Sequence, residues 1–451
     1  MKRLSVTLLA AAVAVSACSD SPVAPAPEQT RADGATFGPS TVTTAADLQD
    51  ALDLAAMTEG PSIIYIRGMV ALDEPLVYMG SDDLQIRGLG NAYLVGPTTP
   101  ISEPSNSGNR VGEPTVGDAL QVMGGADLYI RNLGFKGSTG HGIYMELPGD
   151  ASGQAMVDFY GVDFEDQGLS ALWIEDQANA AGDINSDASI YLALEKVTVT
   201  GTGFATDADG GCPGASEDDG CGWADFDGIR INEGGDGGIT MRFSNVRMNG
   251  NAGDGIEFDE KGPGDVAGTV INATFNENGS QPQFPEDLED GFDIDEAGDG
   301  GIDISLLGVN INENIDEGLD LDEEGEGDIA VELLLVRANG NADDNIKLSE
   351  DADLEDADLT DAEDTGGIEV NFVRVTANGA VDGDGINLEE FGGGTITGSI
   401  ASSRINGNAD DGLQAEQVAA PGDADGVIDL IRTVINGNGD DDLNLENVDA
   451  G

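Results

Sequence analysis

The sequence predicts an all-β fold, a right-handed parallel β-helix with about 27 residues per coil and a short capping helix at its N-terminal end. Three observations predict it: a repeat in the second half of the chain, alternating apolar runs within every copy, and an Asn that recurs at one position. Successive copies begin 27, 36, 27, 27, 40, 27 and 30 residues apart. A constant core length with occasional insertions is typical of a solenoid whose loops vary. Each copy begins with an acid, then Gly, Asn or Asp, then an apolar residue, and the acids are Asp227, Asp254, Asp290, Glu317, Asp344, Asp384, Asp411 and Asp441.

Each copy divides into short strands. An alternating run such as residues 256–259 begins the copy, and a period of two is typical of a half-buried strand. A corner rich in Gly and Asp follows, then a second alternating run such as residues 302–306, and then one more apolar residue such as Val309. The pattern predicts two strands, a third short strand and three corners per coil. Equivalent strands of neighbouring coils would stack roughly 4.7–4.9 Å apart.

The recurrent Asn has a structural explanation. Asn tolerates left-handed backbone geometry, and stacked Asn side chains can bond one another along the axis. Two other solenoids are the alternatives. A leucine-rich repeat has a similar apolar spacing before its Asn, but these copies lack a helical segment, and a nonapeptide calcium β-roll needs a nine-residue period that does not persist here. The recurrent residues are Asn249, Asn276, Asn312, Asn339, Asn378, Asn406 and Asn436.

The N-terminus has the pattern of an export signal. Lys2 and Arg3 precede an apolar run over residues 4–15, and the small residues before Cys18 resemble a bacterial lipobox. This resemblance implies cleavage before Cys18, lipid on that residue and a mature protein anchored to a membrane. Ser19 directly after the Cys favours the outer membrane of a bacterial cell envelope.

Three segments follow from this interpretation. Residues 1–17 are expected to be a lipoprotein signal peptide, and residues 18–36, rich in Pro, Ala and Ser, a flexible tether. Residues 37–451 are expected to form one β-helix domain, because a solenoid core grows by adding coils rather than by dividing into domains.

The composition is strongly acidic, with 87 Asp and Glu against 18 Lys and Arg and a formal net charge of −69. This balance argues against a nucleic-acid partner and against adhesion to anionic lipid by charge, so we expect contact with a membrane through the lipid anchor alone. Salt adaptation and calcium binding both remain as explanations of the acidity.

Cys212 and Cys221 lie in a Gly- and Asp-rich insertion. In an exported protein this arrangement favours a disulfide that closes a loop. A metal site is the alternative, but two thiolates without a neighbouring His are too few ligands for structural zinc.

A helix is predicted over residues 44–57. Thr44 and Asp47 have the spacing of a capping box, and Leu48 and Leu52 fall on one helix face. A helix before the first coil would cover the open end of the core, which a solenoid requires. Short strands are then expected at residues 63–66, 76–78, 84–86, 120–122, 128–130 and 143–145.

The succession of residues 44–52, 63–68, 84–90 and 128–135 resembles the start of the pectate-lyase-like family. The resemblance implies a right-handed parallel β-helix over roughly residues 40–451. It does not imply one reaction, because the family includes pectate lyases, polygalacturonases, alginate epimerases and phage tailspikes, and a fold does not determine a function.

Polygalacturonases of this family use paired aspartates and a Gly-His-Gly. The chain has a Gly-His-Gly centred on His141, but it precedes the Asp pairs by many coils, against the family's order. His141 also stands where other copies place the corner acid. We therefore interpret His141 as a corner residue.

Pectate lyases hold calcium with carboxylates and use an Arg or Lys as base. In this chain the first strand of three adjacent copies presents six carboxylates on one face, with Arg230 one coil before them and Lys347 one coil after them as the candidate bases. A solvated charged face is the structural alternative. For the corner acids we expect backbone N–H bonds rather than calcium. The six expected calcium ligands are Glu257, Asp259, Asp293, Asp295, Asp320 and Asp322.

These observations lead to two functional expectations. The first is a non-enzymatic envelope lipoprotein with an acidic, calcium-binding β-helix and a cation-binding, glycan-binding or surface-structural role. The second is a calcium-dependent lyase or epimerase of uronate polysaccharides, with a cleft walled by insertions at residues 280–289 and 351–365. The sequence given ends near a strand at residues 443–445, and we expect this edge to be covered by another subunit or protected by its own charge.

Overall fold

The computed structural model describes residues 40–99, 101, 114–177, 185–204, 226–279, 289–350, 366–391, 394–417 and 426–450. These residues form one helix and 35 strands. All the strands pair in parallel, and equivalent strands of successive coils stack on one another. The fold is a right-handed parallel β-helix, as the sequence predicts. No helix among the described residues is long and apolar enough to span a bilayer.

Each complete coil contributes one strand to each of three stacks, numbered here in chain order. The first stack is a sheet of twelve strands: β3 Leu76–Tyr78, β5 Leu120–Val122, β7 Ile143–Glu146, β10 Leu172–Asp176, β13 Ile229–Glu233, β16 Ile256–Glu260, β19 Phe292–Glu296, β22 Leu319–Glu323, β25 Ile346–Glu350, β28 Ile386–Glu390, β31 Leu413–Gln417 and β34 Leu443–Glu446.

The other two stacks belong to a second sheet of 23 strands. Its long-strand stack comprises β1 Ser40–Val42, β2 Ser62–Ala71, β4 Leu84–Val95, β6 Leu128–Lys136, β8 Ser152–Tyr160, β11 Asp187–Glu195, β14 Ile239–Ser244, β17 Val266–Ile271, β20 Ile302–Leu307, β23 Ile329–Leu334, β26 Ile368–Val373, β29 Thr397–Ala401, β32 Gly426–Ile431 and β35 Val448–Ala450. Its short-strand stack comprises β9 Asp163–Glu165, β12 Thr198–Thr200, β15 Arg247–Asn249, β18 Thr274–Asn276, β21 Asn310–Asn312, β24 Arg337–Asn339, β27 Thr376–Asn378, β30 Arg404–Asn406 and β33 Val434–Asn436.

The core runs the length of the solenoid and is filled from all three stacks. In one coil Phe258 of β16, Val270 of β17 and Phe275 of β18 are fully buried. Each apolar position recurs in the next coil, so like side chains stack along the axis. Burial of these rows supplies the hydrophobic stabilisation that isolated short strands lack.

The predicted helix is present as α1, Ala45–Ala56. The hydroxyl of Thr44 accepts the N–H of Asp47 at 3.2 Å and donates to that carboxylate at 2.8 Å, which confirms Thr44 as the N-cap. Leu48 and Leu52 are fully buried, so α1 covers the N-terminal end of the core. Strands β2, β4 and β6 extend well beyond the predicted runs.

A single residue in left-handed geometry makes the corner between the long and short strands. In the copies of the second half this corner residue is Asn245, Asn272, Gly308, Leu335, Arg374, Ser402 and Arg432, with φ between 54° and 68°. Asn and Gly are the residues that adopt this conformation most readily. The short corner brings two outward faces of the coil next to each other.

Candidate functional site

The six acids expected to hold calcium lie in two adjacent rows on the outer face of the first sheet. Glu257 pairs in register with Asp293, and Asp293 with Asp320, while the second row runs through Asp259 and its two equivalents. The apolar residues between them point into the core. The sequence periodicity therefore predicted this register correctly, because period two places alternate side chains on one face.

These rows are not a solvated charged face. The exposed fractions of Glu257, Asp259, Asp293 and Asp320 are 3, 2, 8 and 6 %, and only Asp295 and its neighbour in the next coil are half-buried. Carboxylates removed from water to this degree require a proton, a cation or several hydrogen bonds. The outward-facing acids of the sequence pattern are therefore a dense cluster of mostly buried carboxylates.

The corner acids cap the backbone of neighbouring coils, as expected. The N–H of Asp254 donates to Oδ1 of Asp227 at 2.9 Å, and the N–H of Glu317 donates to Oδ1 of Asp290 at 2.6 Å. The same bond recurs to the end of the chain, where Asp441 donates to the carboxylate one coil earlier at 2.7 Å. Asp227, Asp254, Asp290, Asp344, Asp384 and Asp411 each use one oxygen for this bond, so the second oxygen can face the adjacent acid rows.

Corner acids and row acids together form groups that could bind a metal ion. Among the described residues, four groups have three carboxylate oxygens within 4.8 Å of one another. They are Asp227, Asp254 and Glu257; Glu257, Asp293 and Asp295; Asp290, Asp293 and Asp320; and Asp290, Asp316 and Glu317. The corner acids thus contribute to the candidate metal groups, which the sequence analysis did not anticipate, whereas Asp259 and Asp322 belong to none of the four.

Burial has the largest effect on the pKa values of the carboxyls in these groups, and repulsion between the carboxylates adds to it. Burial raises the pKa of Asp293 well above its ordinary value, and the charges of Asp295, Asp254 and Glu257 raise it further. The pKa of Asp290 is raised in the same way, by burial and then by its acidic neighbours. At neutral pH these carboxyls therefore bind a proton or require a cation.

Arg230 neutralises one end of the rows. Its guanidinium is completely buried, forms an ion pair with Glu257 and lies 3.5 Å from oxygens of Asp227 and Asp259. It also lies over the ring of Trp173, 5.3 Å from the centroid. A buried guanidinium already held by carboxylates keeps its proton, so this geometry favours a charge-balancing position for Arg230 over the role of a catalytic base.

Lys347 neutralises the other end. Its Nζ lies 2.9 Å from Oδ2 of Asp320 and 3.3 Å from Oδ2 of Asp322, and 22 % of its side chain is exposed. Burial alone would lower the pKa of Lys347, but the two carboxylates outweigh burial and raise it above the ordinary lysine value. A lysine held in its charged form is a poor proton acceptor, although it is positioned to contact an anionic ligand.

The middle coil lacks such a partner. Asp293 makes no ion pair with any described residue, and Oδ1 of Asp320 is buried without a hydrogen-bond partner there. Calcium binds six to eight oxygens in flexible geometry, and a set of carboxylates alone matches that preference. The residues present therefore fit a divalent cation between the two basic ends of the rows.

His141 lies at a corner, as interpreted from the sequence. Its side chain is buried beside the rings of Tyr144 and Trp173, and its backbone N–H donates to Oδ1 of Asp118 at 2.8 Å. Burial lowers the pKa of His141, which keeps the imidazole neutral. These contacts give His141 a packing role.

The sequence analysis missed a second file of buried acids. The last residue of six successive strands in the first sheet is a Glu that is fully buried. The signal was present, because Glu ends each of these runs in the sequence. These residues are Glu233, Glu260, Glu296, Glu323, Glu350 and Glu390.

Five carboxyls of this glutamate file accept a backbone N–H, and those of Glu233, Glu260, Glu296 and Glu323 also lie within hydrogen-bond reach of one another along the file. The N–H of Gly262 donates to Oε1 of Glu260 at 3.0 Å, and the N–H of Gly298 donates to Glu296 at 3.1 Å. Burial and hydrogen bonds to Glu233 and Glu296 raise the pKa of Glu260 to about 11, so it remains protonated at neutral pH. The file is a proton-sharing structural element.

The recurrent Asn residues form the expected ladder. The side-chain amide of Asn312 donates to Asn276 at 2.9 Å, and that of Asn339 donates to Asn312 at 2.9 Å. A second, fully buried Asn ladder runs parallel to it two residues later, for example from Asn314 to Asn341 at 3.0 Å. The second ladder was not predicted.

Several sequence predictions fall outside the described residues. These are the lipidation at Cys18, the signal peptide and tether at residues 1–17 and 18–36, the disulfide between Cys212 and Cys221, and the insertions at residues 280–288 and 351–365. They stay predictions.

Comparisons with known proteins agree with the fold. No family model and no curated protein sequence matches the chain. In fold it is similar to the A-module of a mannuronan C-5 epimerase from Azotobacter vinelandii, with 13 % identity, a TM-score of 0.53, and 93 % of this chain and 98 % of that module covered. A pectate lyase gives 13 % identity, a TM-score of 0.42, and 87 % and 80 % coverage. The catalytic domain of an α-1,3-glucanase gives 13 % identity and a TM-score of 0.37, with 91 % of this chain and 67 % of that chain covered.

At this level of identity the likeness to the epimerase module shows the fold alone. The chain has a pectate-lyase-like, right-handed parallel β-helix, as the resemblance of residues 44–135 implied. A shared fold does not determine a function, and the chemistry available to this chain lies in its acid rows.

Proposed function

We propose that this protein is a calcium-binding β-helix of the bacterial cell envelope, anchored by lipid at Cys18 to the outer membrane, with a structural or polysaccharide-binding role rather than a catalytic one. The observation that carries the calcium site is the buried carboxylate of Asp293, which belongs to two of the candidate metal groups and has no basic partner among the described residues. Calcium held there would link carboxylates of adjacent coils.

Two processes can remove the charge of the middle coil. Protonation suffices at low pH, and the raised pKa values of Asp290, Asp293 and Asp320 favour it. At neutral pH a divalent cation achieves the same neutralisation and binds several coils at once. Because each coil contacts mainly its neighbours, a cation shared between coils would stabilise the interfaces on which a solenoid depends.

A non-enzymatic role is supported by the two basic residues nearest the site. Arg230 is buried in ion pairs, and Lys347 is held in its charged form by Asp320 and Asp322. Neither is a competent general base as placed. The lipid anchor is supported by the sequence before Cys18, and a contact between subunits at the C-terminal edge is supported by the unpaired outer side of β34 among the described residues.

Thermal unfolding with EDTA and with millimolar calcium tests the calcium site. Binding to the folded state at roughly a hundred times the Kd stabilises by about 2.7 kcal/mol, which would raise the Tm by several degrees. Asp293→Asn removes a buried charge, so this variant should match or exceed the wild type in EDTA and gain little from calcium.

Asp299→Asn is the matched control, because Asp299 lies in the same coil but is exposed at the corner after β19. It should respond to calcium as the wild type does. A wild-type Tm that calcium leaves unchanged would refute the proposed site.

The second candidate function is a calcium-dependent lyase or epimerase of uronate polysaccharides. The observation in its favour is the side chain of Lys347, which is partly exposed next to the candidate metal group of Asp290, Asp293 and Asp320. Incubation with pectate and alginate in calcium tests it, with unsaturated product followed by absorbance and epimerisation by NMR. Product formed by the wild type and lost in Lys347→Ala would establish the enzyme and overturn the non-enzymatic role.

A further inference from the structure

A groove of about 580 Å³ lies on a different face of the solenoid from the acid rows, along the corner between the long and short strands of the last coils. Four arginines line it: Arg337, Arg374, Arg404 and Arg432. All four are exposed. The groove is therefore a basic feature on a protein of net charge −69.

The concentration of arginine in the groove exceeds what the composition would give. From residue 262 to the C-terminus the sequence has five basic residues, and four of them line this groove, the fifth being Lys347. They belong to four successive copies of the repeat. A basic side chain is thus placed at the groove once per coil, while the rest of this half of the chain is almost without positive charge.

These arginines are not used for ion pairs within the fold. None of them lies within ion-pair distance of a described carboxylate, in contrast to Arg230 and Lys347. Arg337 donates one long hydrogen bond, 3.4 Å from Nη1 to Oδ1 of Asn310. In a protein so rich in acids, four guanidiniums facing one groove without carboxylate partners remain available to an external anion.

The four side chains alternate between two adjacent positions. Arg337 and Arg404 begin short strands and lie two coils apart in one register column, with Thr376 between them, so their backbones are roughly 10 Å apart. Arg374 and Arg432 occupy the left-handed corner with φ of 58° and 56°. Asn and Gly are favoured at such a corner, so Arg is retained there at some conformational cost.

Aliphatic side chains flank the arginines. Leu335 and Val434 line the groove and are each 46 % exposed, and Ile431, directly before Arg432 in the sequence, is 49 % exposed. The exposed acids Glu332 and Asp429 lie two residues before the ends of the long strands β23 and β32. The positive charge is therefore confined to a narrow strip, which suits an extended chain and not a flat anionic membrane.

We propose that this groove binds an acidic peptide segment with aliphatic side chains, contributed by a partner protein. Guanidinium clusters recognise acidic motifs by paired hydrogen bonds to carboxylates, and the flanking Leu, Ile and Val offer apolar contact. Among the groove residues there is no aromatic ring on which a sugar could stack. Carboxylates elsewhere on the protein are screened beyond about 8–10 Å at physiological salt, so the strip governs local binding.

Fluorescence anisotropy tests the proposal with a labelled synthetic peptide in which Asp alternates with Leu, measured in EDTA so that the outcome is independent of the calcium site. The wild type should bind the peptide, more weakly as salt rises. Arg374→Gln/Arg404→Gln should weaken binding at least tenfold, and replacing Leu by Ser in the peptide should weaken it several-fold.

The matched control is Arg242→Gln/Arg247→Gln, which makes the same change of net charge on the same sheet, with Arg247 at the strand position equivalent to Arg337. This control should bind as the wild type does. Equal losses in the two double variants, or no binding by the wild type, would overturn the proposal. So would retention of labelled polygalacturonate or of phosphatidylglycerol vesicles through Arg374 and Arg404 in place of the peptide, because the groove would then serve a glycan or a membrane.

Discussion

Asn345 donates a hydrogen bond from Nδ2 to Oδ1 of Asn408, 3.0 Å away and 63 residues later in the chain. It also accepts one from the amide of Asn341 at 3.0 Å. In the coil between Asn341 and Asn408, the position of the buried Asn ladder holds Ala380, which has no side-chain amide. Asn345 supplies the amide that joins the two parts of the ladder. The N–H of Ala380 still donates to Asn408 at 3.0 Å, as a ladder residue does.

The same geometry explains why most copies have Gly after the opening acid. A Cβ on Gly318 would lie 2.3 Å from the ladder amide of Asn341, and a Cβ on Gly385 would lie 2.4 Å from that of Asn408. Ala380 has no amide to collide with, so Asn fits at 345. The two departures from the repeat therefore compensate each other.

Asn345→Gly restores the common residue of the repeat, yet we expect it to lower the free energy of unfolding by about 1–3 kcal/mol. It removes one hydrogen bond from the buried amide of Asn341 and one from that of Asn408. Ala380→Asn alone should also destabilise, because its side chain would meet Asn345. The double variant should recover most of the stability, since it rebuilds the ladder of the other coils. Urea unfolding of all four proteins measures the coupling, and simple additivity of the two losses would contradict this account.

Arg230 gives a second prediction. Arg230→Met largely keeps the volume of the side chain but removes the buried guanidinium from Glu257, Asp227 and Asp259, of which Asp259 retains its ion pair with the exposed Lys261. We expect a loss of about 3–5 kcal/mol at neutral pH in EDTA, measured by urea unfolding. Arg247→Met, at an exposed position, should change stability by no more than about 0.5 kcal/mol. Equal stability of the two variants would mean that Arg230 balances no charge.

The coil itself could be predicted from the sequence because its signals are local. Alternation of apolar and polar residues determines which side chains of β16, β19 and β22 share a face, and a constant copy length determines their register. Thr44 and Asp47 likewise mark the helix start within four residues. Each of these features needs only neighbouring residues to be recognised.

Burial of the acid rows could not be predicted in the same way. Whether Asp293 is outward and solvated or outward and covered depends on contacts between residues far apart in the sequence, which alternation of apolar and polar residues does not encode. The exchange between Asn345 and Ala380 also joins residues of different coils. The glutamate file is different, since Glu at the strand end repeats as regularly as the Asn and could have been recognised.

The glutamate file gives a prediction about pH. The pKa of Glu260 is raised from 4.5 to about 11 by burial and by its acidic neighbours, so the folded state holds this proton while the unfolded state releases it. Its contribution to stability is therefore complete below about pH 4.5 and declines as the pH rises toward about 11. In EDTA, wild-type stability should fall between pH 6 and pH 9.

Glu260→Gln tests this file directly. Gln417 occupies the same position in a later coil, fully buried, and its Oε1 accepts the N–H of Ile396 at 3.0 Å, so the site tolerates an amide. The variant should be within about 1 kcal/mol of the wild type at pH 6 and more stable than it at pH 9. Glu332→Gln, on the exposed face of β23, should retain the wild-type pH dependence. An unchanged slope in Glu260→Gln would show that Glu260 does not carry the extra proton.

Calcium binding should release protons. Burial and then neighbouring carboxylates raise the pKa of Asp290, Asp293 and Asp320, so near neutral pH part of this group is protonated before the cation binds. A metal ligand must be deprotonated, and calcium affinity should therefore increase with pH and be lost at a higher pH than for ordinary aspartates. Titration calorimetry in two buffers of different ionisation enthalpy measures the released protons. Asp293→Asn should reduce the number of released protons, and Asp299→Asn should leave it unchanged. If the heats of calcium binding to the wild type do not depend on the buffer, these carboxyls are already ionised before calcium binds.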